Sequence, residues 1–249
     1  MKALATLWLW LCVALTLPVA YVLALLLLAC TFWFDPHRRL LQRFVGVWCH
    51  QYLRCWPGWR VRIEGRELLP RGPCVIIANH QSMTDILALM GLPVPFKFVS
   101  KRSLFSTPFI GLMMRLMKYV AIERGRFPSM QEMMVRCDGL LEAGQAVLIF
   151  PEGTYATGDT RLPFKRGAFR LAQKRGVPIV PVVVTGTREL VFEDGFAFAA
   201  RANVVVRVMP PMSPPPMTDD GDAWVLEAQA LYASWLGSPG PTSNRAPPF

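Results

Sequence analysis

A chain of 249 residues is long enough for one domain of ordinary size and an additional segment. Its formal net charge is +10 and its mean hydropathy is +0.31, whereas basic proteins that bind nucleic acids are usually hydrophilic overall. This combination argues against a nucleic-acid partner and favours an anionic membrane surface. The six cysteines show no paired-motif spacing, so neither a disulfide framework nor a metal site is predicted.

The N-terminal segment is long and apolar. Residues 3–34 contain no charged side chain, and as a helix they would measure about 48 Å, against a hydrocarbon core of roughly 30 Å. Pro18 lies in the middle, so the segment is either one kinked spanning helix or a re-entrant pair of shorter helices. Six arginines follow between residues 38 and 62, and a single lysine precedes the segment. The positive-inside rule therefore predicts anchoring in the inner (cytoplasmic) membrane, with the bulk of the protein facing the cytoplasm.

Residues 40–59 interleave aromatic and aliphatic side chains with arginines. The pattern is typical of an amphipathic helix at the membrane interface, with its tryptophans at headgroup depth. A helix packed on the soluble domain, with a solvated basic side, explains the same pattern. We assign residues 1–60 to the membrane anchor and interfacial helix, residues 61–236 to an α/β domain, and residues 237–249 to a disordered tail.

Beyond residue 60, short apolar runs alternate with longer amphipathic runs. This alternation predicts an α/β fold with a mixed, largely parallel sheet flanked by helices. Strands are predicted at residues 61–63, 74–78, 96–99, 119–122, 146–150, 179–184 and 204–208, and helices at residues 84–90, 107–117, 129–142, 167–174 and 223–236.

A histidine and an aspartate five positions apart follow the second predicted strand, where residues 79–85 read NHQSMTD. Side chains five apart on a continuous helix diverge by roughly 140°, so His80 and Asp85 meet only if His80 lies in the turn before the helix. The Asp85 carboxylate can then accept a hydrogen bond from one imidazole nitrogen while the other takes a proton from a hydroxyl. An ordinary turn histidine, with Asp85 favouring the helix N-terminus through its charge, is the alternative.

A second motif, FPEGT at residues 150–154, follows another predicted strand. Ligands of such sheets bind beyond the carboxyl ends of the strands, so His80 and Glu152 are expected at the same edge. Together the two motifs resemble the glycerolipid acyltransferase family, which includes 1-acyl-glycerol-3-phosphate acyltransferases. Residues 101–124, 164–168 and 177–182 are similar to further blocks of that family, in the family's order, and the resemblance covers roughly residues 61–210.

The resemblance implies a reaction in which the hydroxyl of a lysolipid attacks the thioester carbonyl of acyl-CoA or acyl carrier protein, with no cofactor and no covalent acyl-enzyme. His80 is then the general base and Asp85 its orienting partner. The absence of a Gly-x-Ser-x-Gly elbow agrees. The implied substrate-binding residues are Glu152, Gly153, Thr154, Arg124, Lys101, Lys165 and Arg166. Backbone amides near Gly153 or after His80 are candidates to stabilise charge on the thioester oxygen.

One departure from the family pattern concerns the acceptor. Thr154 is followed by Tyr155, where phosphatidic-acid-forming members usually have arginine, and Arg161 replaces that arginine only if the loop folds back. The expected acceptor is 1-acyl-glycerol-3-phosphate, with another lyso-phospholipid or lyso-ornithine lipid as the alternative. A lipid hydrolase and a non-catalytic lipid-binding protein are the competing classes. The missing serine elbow argues against the first, and the presence of both His80 and Asp85 argues against the second.

Overall fold

The computed structural model describes residues 1–154, 162–191, 197–217 and 221–237. Its elements, in chain order, are α1 (Lys2–Thr31), α2 (Arg39–Tyr52), β1 (Trp59–Glu64), β2 (Val75–Ala78), α3 (Thr84–Leu89), β3 (Phe96–Lys101), α4 (Ile110–Leu116), β4 (Val120–Ile122), α5 (Phe127–Glu142), β5 (Ala146–Ile149), α6 (Gly167–Arg175), β6 (Ile179–Thr185), α7 (Thr187–Leu190), β7 (Ala202–Val208) and α8 (Asp222–Gly237). Every predicted strand and domain helix has a counterpart. The short helix α7 was not predicted.

The strands form one seven-stranded sheet in the order β1-β7-β6-β2-β5-β3-β4. β6, β2, β5, β3 and β4 run parallel, β7 is antiparallel to β6, and β1 is parallel to β7. The predicted mixed, largely parallel sheet is therefore confirmed. We call the side of the sheet where the five parallel strands end the carboxyl edge; the chain enters β1 and β7 at this same edge.

Both faces of the sheet are covered by helices. In β2, Ile76 and Ala78 belong to the apolar cluster that includes residues of α1–α4, whereas Val75 and Ile77 belong to the cluster that includes residues of α5, α6 and α8. All four residues of β2 are fully buried. A strand buried on both faces needs apolar side chains at every position, which is why this strand reads as a continuous apolar run.

Helix α1 is a single 30-residue helix with Pro18 inside it, and by length and composition it is a candidate membrane span. It lies along the domain: Thr6 Oγ1 accepts a hydrogen bond from Phe198 N at 2.9 Å, and Trp8 Nε1 donates to Cys55 O at 2.8 Å. Further along, the Tyr21 ring meets Phe109 edge-on. The other side of α1 is apolar and exposed.

Helix α2 packs against α1 and α3 and buries Leu41, Gln42, Gly46 and His50. The Gln42 side chain donates a hydrogen bond to Phe96 O at the start of β3. The structure thus favours the second explanation of residues 40–59, a helix packed on the domain. The first strand of the sheet begins at Trp59, so the α/β fold starts two residues before residue 61.

Candidate active site

The turn between β2 and α3 holds the predicted histidine–aspartate pair. His80 Nδ1 lies 2.8 Å from Asp85 Oδ2. Asp85 is fully buried in the first turn of α3, and 6% of the His80 surface is exposed. Because Asp85 accepts this bond, Nδ1 carries the proton and Nε2 is the basic nitrogen.

Asp85 also shapes the turn that carries His80. Its Oδ2 accepts hydrogen bonds from Gln81 N at 2.6 Å and from Ser82 N at 2.9 Å. One oxygen therefore both satisfies two backbone donors of the turn before α3 and orients the imidazole.

Asn79 holds the chain directly before the histidine. The side-chain Nδ2 of Asn79 donates to Val184 O at 2.8 Å, and the side-chain Oδ1 of Asn79 accepts from Val184 N at 2.8 Å. These bonds continue the pairing of β2 with β6 beyond the last residue of β2. On the other side, the His80 ring stacks on Phe150, with centroids 3.9 Å apart and planes 13° apart. Asn79 and Phe150 both lie within the two motifs, and the sequence pattern predicted no role for either residue.

Glu152 follows β5, the strand beside β2. Its side chain is buried, and Oε1 accepts a hydrogen bond from His80 N at 3.4 Å. Burial raises the pKa of the Glu152 carboxyl above its ordinary value, and the Asp85 charge acts in the same direction. Hydrogen bonds from the His80 and Leu162 amides and the charge of Arg188 oppose the shift.

Gly153 adopts φ +75°, in the left-handed region that favours glycine. A Cβ at this position would lie 2.6 Å from Lys165 Nζ. The residue next to Glu152 is therefore a glycine both for its backbone conformation and for the approach of the Lys165 ammonium. Thr154, the next residue, is exposed.

Three of the amides near Gly153 and after His80 already have partners. Gln81 N and Ser82 N donate to Asp85, and Gly153 N donates to Phe150 O at 3.0 Å. Each of these three donors bonds within its own turn. Their bonds depend on turn geometry, which a motif does not specify.

The other cations that were predicted to bind substrate lie in separate parts of the structure. Lys101 is the last residue of β3, which lies two strands from β2, and Arg124 follows β4, which lies three strands from β2. At ~4.8 Å per strand, these strands are about 10 and 14 Å from β2 along the carboxyl edge. Both side chains are exposed. Arg166 instead forms an ion pair with Asp222 at the start of α8. Tyr155 and Arg161 lie outside the described residues.

One cation at the carboxyl edge was missed. Arg188 follows β6 on the other side of β2, is half-buried, and lowers the pKa of Glu152 through its charge. The sequence signal was present, because Thr185-Gly186-Thr187 marks a turn directly after a buried strand.

The fold and the site define an α/β domain in which an oriented histidine, suited to base chemistry, lies among cations at the carboxyl edge of a sheet. The model of the Acyltransferase family matches residues 60–185. The chain belongs to that family. Helices α1, α2, α7 and α8 and strand β7 lie outside the matched region.

Curated relatives and a solved structure resemble the chain. A chloroplastic 1-acyl-sn-glycerol-3-phosphate acyltransferase of Arabidopsis thaliana is 34% identical over 206 residues, which cover 81% of this chain and 57% of that protein. The 1-acyl-sn-glycerol-3-phosphate acyltransferase of Pseudomonas aeruginosa is 34% identical over 151 residues, 59% of each protein. The chain thus spans little more than half of the length of these relatives. The crystal structure of PlsC from Thermotoga maritima, an acyltransferase of 1-acyl-sn-glycerophosphate, has the same fold, with a TM-score of 0.75, 21% identity and 95% of both chains covered.

Proposed function

We propose that the protein is a membrane-bound O-acyltransferase of phospholipid biosynthesis. It moves a fatty acyl group from acyl-CoA or acyl carrier protein to the hydroxyl of 1-acyl-glycerol-3-phosphate, giving phosphatidic acid. The observation that carries the proposal is the 2.8 Å bond from His80 Nδ1 to Asp85 Oδ2 at the carboxyl edge, inside the family match. The Arabidopsis and Pseudomonas relatives are named as 1-acyl-sn-glycerol-3-phosphate acyltransferases, which supports the choice of acceptor.

The proposed reaction uses Nε2, the second ring nitrogen of His80. Nε2 takes the proton of the acceptor hydroxyl while the oxygen attacks the thioester carbonyl carbon. The carbon–sulfur bond then breaks, and the imidazolium returns the proton to the leaving thiolate, which departs as a thiol. Asp85 stabilises the imidazolium between these steps. Base catalysis of this kind accelerates a reaction by about 10² to 10⁴, and every atom balances without a metal, a cofactor or an acyl-enzyme.

The acceptor phosphate needs cations, and the carboxyl edge supplies them. Lys101 and Arg124 are exposed there, and neither forms an ion pair with the residues that the structure describes. Arg124 is our primary phosphate ligand, since a guanidinium binds phosphate in a bidentate manner. Lys165 approaches from the Gly153 side, next to Glu152 and Thr154, and Arg166 joins it only when released from Asp222.

The protein's site of action follows from its anchor. The exposed apolar side of α1 fits a bilayer, and the arginines after it favour the cytoplasmic leaflet of the inner membrane, where they contact anionic lipid. In this arrangement the catalytic domain faces the cytoplasm and its pool of acyl donors.

A second acceptor class is favoured by one residue. Members of the family that form phosphatidic acid usually have arginine at the position of Tyr155. Because that arginine is absent here, a different lyso-phospholipid or lyso-ornithine lipid is the alternative acceptor.

An acyl-transfer assay decides between these possibilities. Purified protein in detergent receives radiolabelled acyl-CoA or acyl carrier protein and a panel of lysolipids. We expect label in phosphatidic acid. Label in another diacyl lipid selects the alternative acceptor, release of free fatty acid alone indicates a hydrolase, and an unconsumed donor indicates a lipid-binding protein.

The base is tested by substitution. His80→Ala and Asp85→Asn should each lower kcat by about 10² to 10⁴ while the melting temperature shows a folded protein. His37→Ala, a histidine of the α1–α2 loop, is the matched control and should retain activity. Near-normal turnover of His80→Ala would overturn the mechanism.

The phosphate ligand is tested separately. Arg124→Ala should raise the KM of the acceptor by about tenfold and leave the KM of the donor little changed, because a charged hydrogen bond is worth roughly 1.5–3 kcal/mol. Arg136→Ala, an exposed arginine on α5, is the control. A larger effect on the KM of the donor would assign Arg124 to acyl-donor binding instead.

A further inference from the structure

The C-terminal helix α8 places a tyrosine hydroxyl inside the sheet. Tyr232 is 3% exposed. Its hydroxyl donates a hydrogen bond to Ile77 O at 2.6 Å, accepts one from Val182 N at 3.0 Å, and lies 3.1 Å from Val182 O. Ile77 belongs to β2 and Val182 to β6, so the hydroxyl joins backbone groups of two neighbouring strands.

The joined strands lead directly to the catalytic turn. Ile77 lies three residues before His80, and the Asn79 side chain holds the same pair of strands at Val184. Two side chains, one on each side of Ala78, thus set the spacing of β2 and β6 where β2 ends. The Tyr232 ring also meets Phe164 edge-on at 5.1 Å, and Phe164 precedes Lys165. One residue of α8 therefore contacts the strand that leads to His80 and the segment that carries Lys165.

The chemistry of Tyr232 is that of a support. Burial raises the pKa of the phenol far above its ordinary value, so the hydroxyl stays protonated and remains a donor. The three polar contacts described above are all with backbone atoms of the sheet, and none is with a reacting group. Helix α8 lies outside the region that the family model matches.

We propose that Tyr232 is a positioning residue: through Ile77 it sets the end of β2 and hence the place of His80 relative to Glu152. The proposal rests on the acyl transfer proposed above. Without the hydroxyl, Val182 N and Ile77 O either stay unpaired in a buried sheet or approach until they bond directly. Both outcomes displace the chain that leads to His80, and a misplacement of about 1 Å can cost roughly 10² in rate.

Tyr232→Phe tests this through kinetics. The matched control is Tyr52→Phe on α2, which also removes a tyrosine hydroxyl with two partners, Thr16 Oγ1 and Trp48 Nε1, each at 3.0 Å. Under conditions where both variants are folded, we expect kcat of Tyr232→Phe to fall by about tenfold or more with both KM values little changed. Tyr52→Phe should retain the wild-type kcat. Equal kcat values in the two variants would overturn the proposal.

A spectroscopic measurement separates this proposal from the proposed function. The chain has three histidines, so the ring nitrogens of ¹⁵N-histidine-labelled protein can be assigned by single substitutions. Tyr232→Phe should shift the His80 signals and leave those of His37 and His50 in place. Unchanged His80 signals would refute the positioning role whether or not the protein is active. A wild-type protein without acyl transfer would refute the proposed function alone.

Discussion

Asp85 shows how much of the site depends on one carboxylate oxygen. Oδ2 accepts bonds from His80 Nδ1, Gln81 N and Ser82 N, whereas Oδ1 is buried and has no hydrogen-bond partner among the described residues. Asp85→Asn keeps an acceptor for the two amides but loses the charge that stabilises the imidazolium. Asp85→Ala loses both, so it should also destabilise the turn by about 1–3 kcal/mol. The comparison of Asn with Ala separates catalysis from structure.

Glu152 should make stability depend on pH. Its pKa is raised in the folded protein by burial, so the folded state binds this proton more tightly than the unfolded chain. The associated stability is present at low pH and is lost as the pH rises through the raised pKa. Glu152→Gln stays neutral and keeps an oxygen that accepts from His80 N. Its melting temperature should therefore rise relative to wild type as the pH increases from acid to neutral.

Calorimetric scans across that pH range, with Glu227→Gln on the exposed side of α8 as the matched control, measure the difference. If the difference in melting temperature between Glu152→Gln and wild type shrinks with rising pH, burial does not raise the pKa of Glu152.

Residue spacing was enough to predict where His80 must lie if it meets Asp85. Side chains five apart diverge on a helix, so the contact required a histidine in the turn, where the structure has it. The long-range partners of the site were not accessible in this way. Arg166 is bound by Asp222 from 56 positions further along the chain, and Val184, far from Asn79 in sequence, lies beside it only because β6 pairs with β2. These contacts follow from topology, which no local pattern contains.

At the scale of elements, burial decides what the sequence reveals. β2 and β5 are covered on both faces and read as apolar runs, which predicts them well. Helix α7, four residues long, is too short to show a period. Helix α2 has an apolar side that looks the same whether lipid or protein covers it. Only the packing against α1 and α3 distinguishes the two explanations.

Helix α1 has one side packed on the domain and one side exposed. Leu15 and Val22 are 66% and 56% exposed, whereas Ala5, Leu9, Ala20 and Ala24 are buried. Leu15→Asp with Val22→Asp should therefore move the protein from the membrane to the soluble fraction, because each aspartate costs ~2.5–3.5 kcal/mol in the centre of a spanning helix. The domain should keep its melting temperature.

Membrane flotation of the expressed protein measures the shift. Val135→Asp, an exposed position on α5 with 71% exposure, is the matched control and should float like wild type. A double variant that stays with the membrane would mean that this side of α1 does not face lipid.

At the scale of the whole molecule, the apolar anchor and the +10 charge act on different steps. In the proposed arrangement, the anchor holds the protein at the bilayer by apolar contact, which salt does not weaken. The charge attracts anionic ligands over distances that salt screens. Binding to the membrane and capture of the acceptor should therefore respond differently to ionic strength.

The acceptor's KM should increase with salt while kcat stays nearly constant. Raising NaCl from about 0.1 to 1 M shortens the Debye length from roughly 10 to 3 Å, so the cations of the carboxyl edge attract an anionic headgroup less strongly. The assay uses neutral detergent micelles, saturating donor and 1-acyl-glycerol-3-phosphate. Lys101→Ala with Arg124→Ala should raise KM at low salt and flatten its salt dependence, because both exposed cations at β3 and β4 are gone. A wild-type KM that is independent of salt would show that acceptor capture does not use the protein's charge.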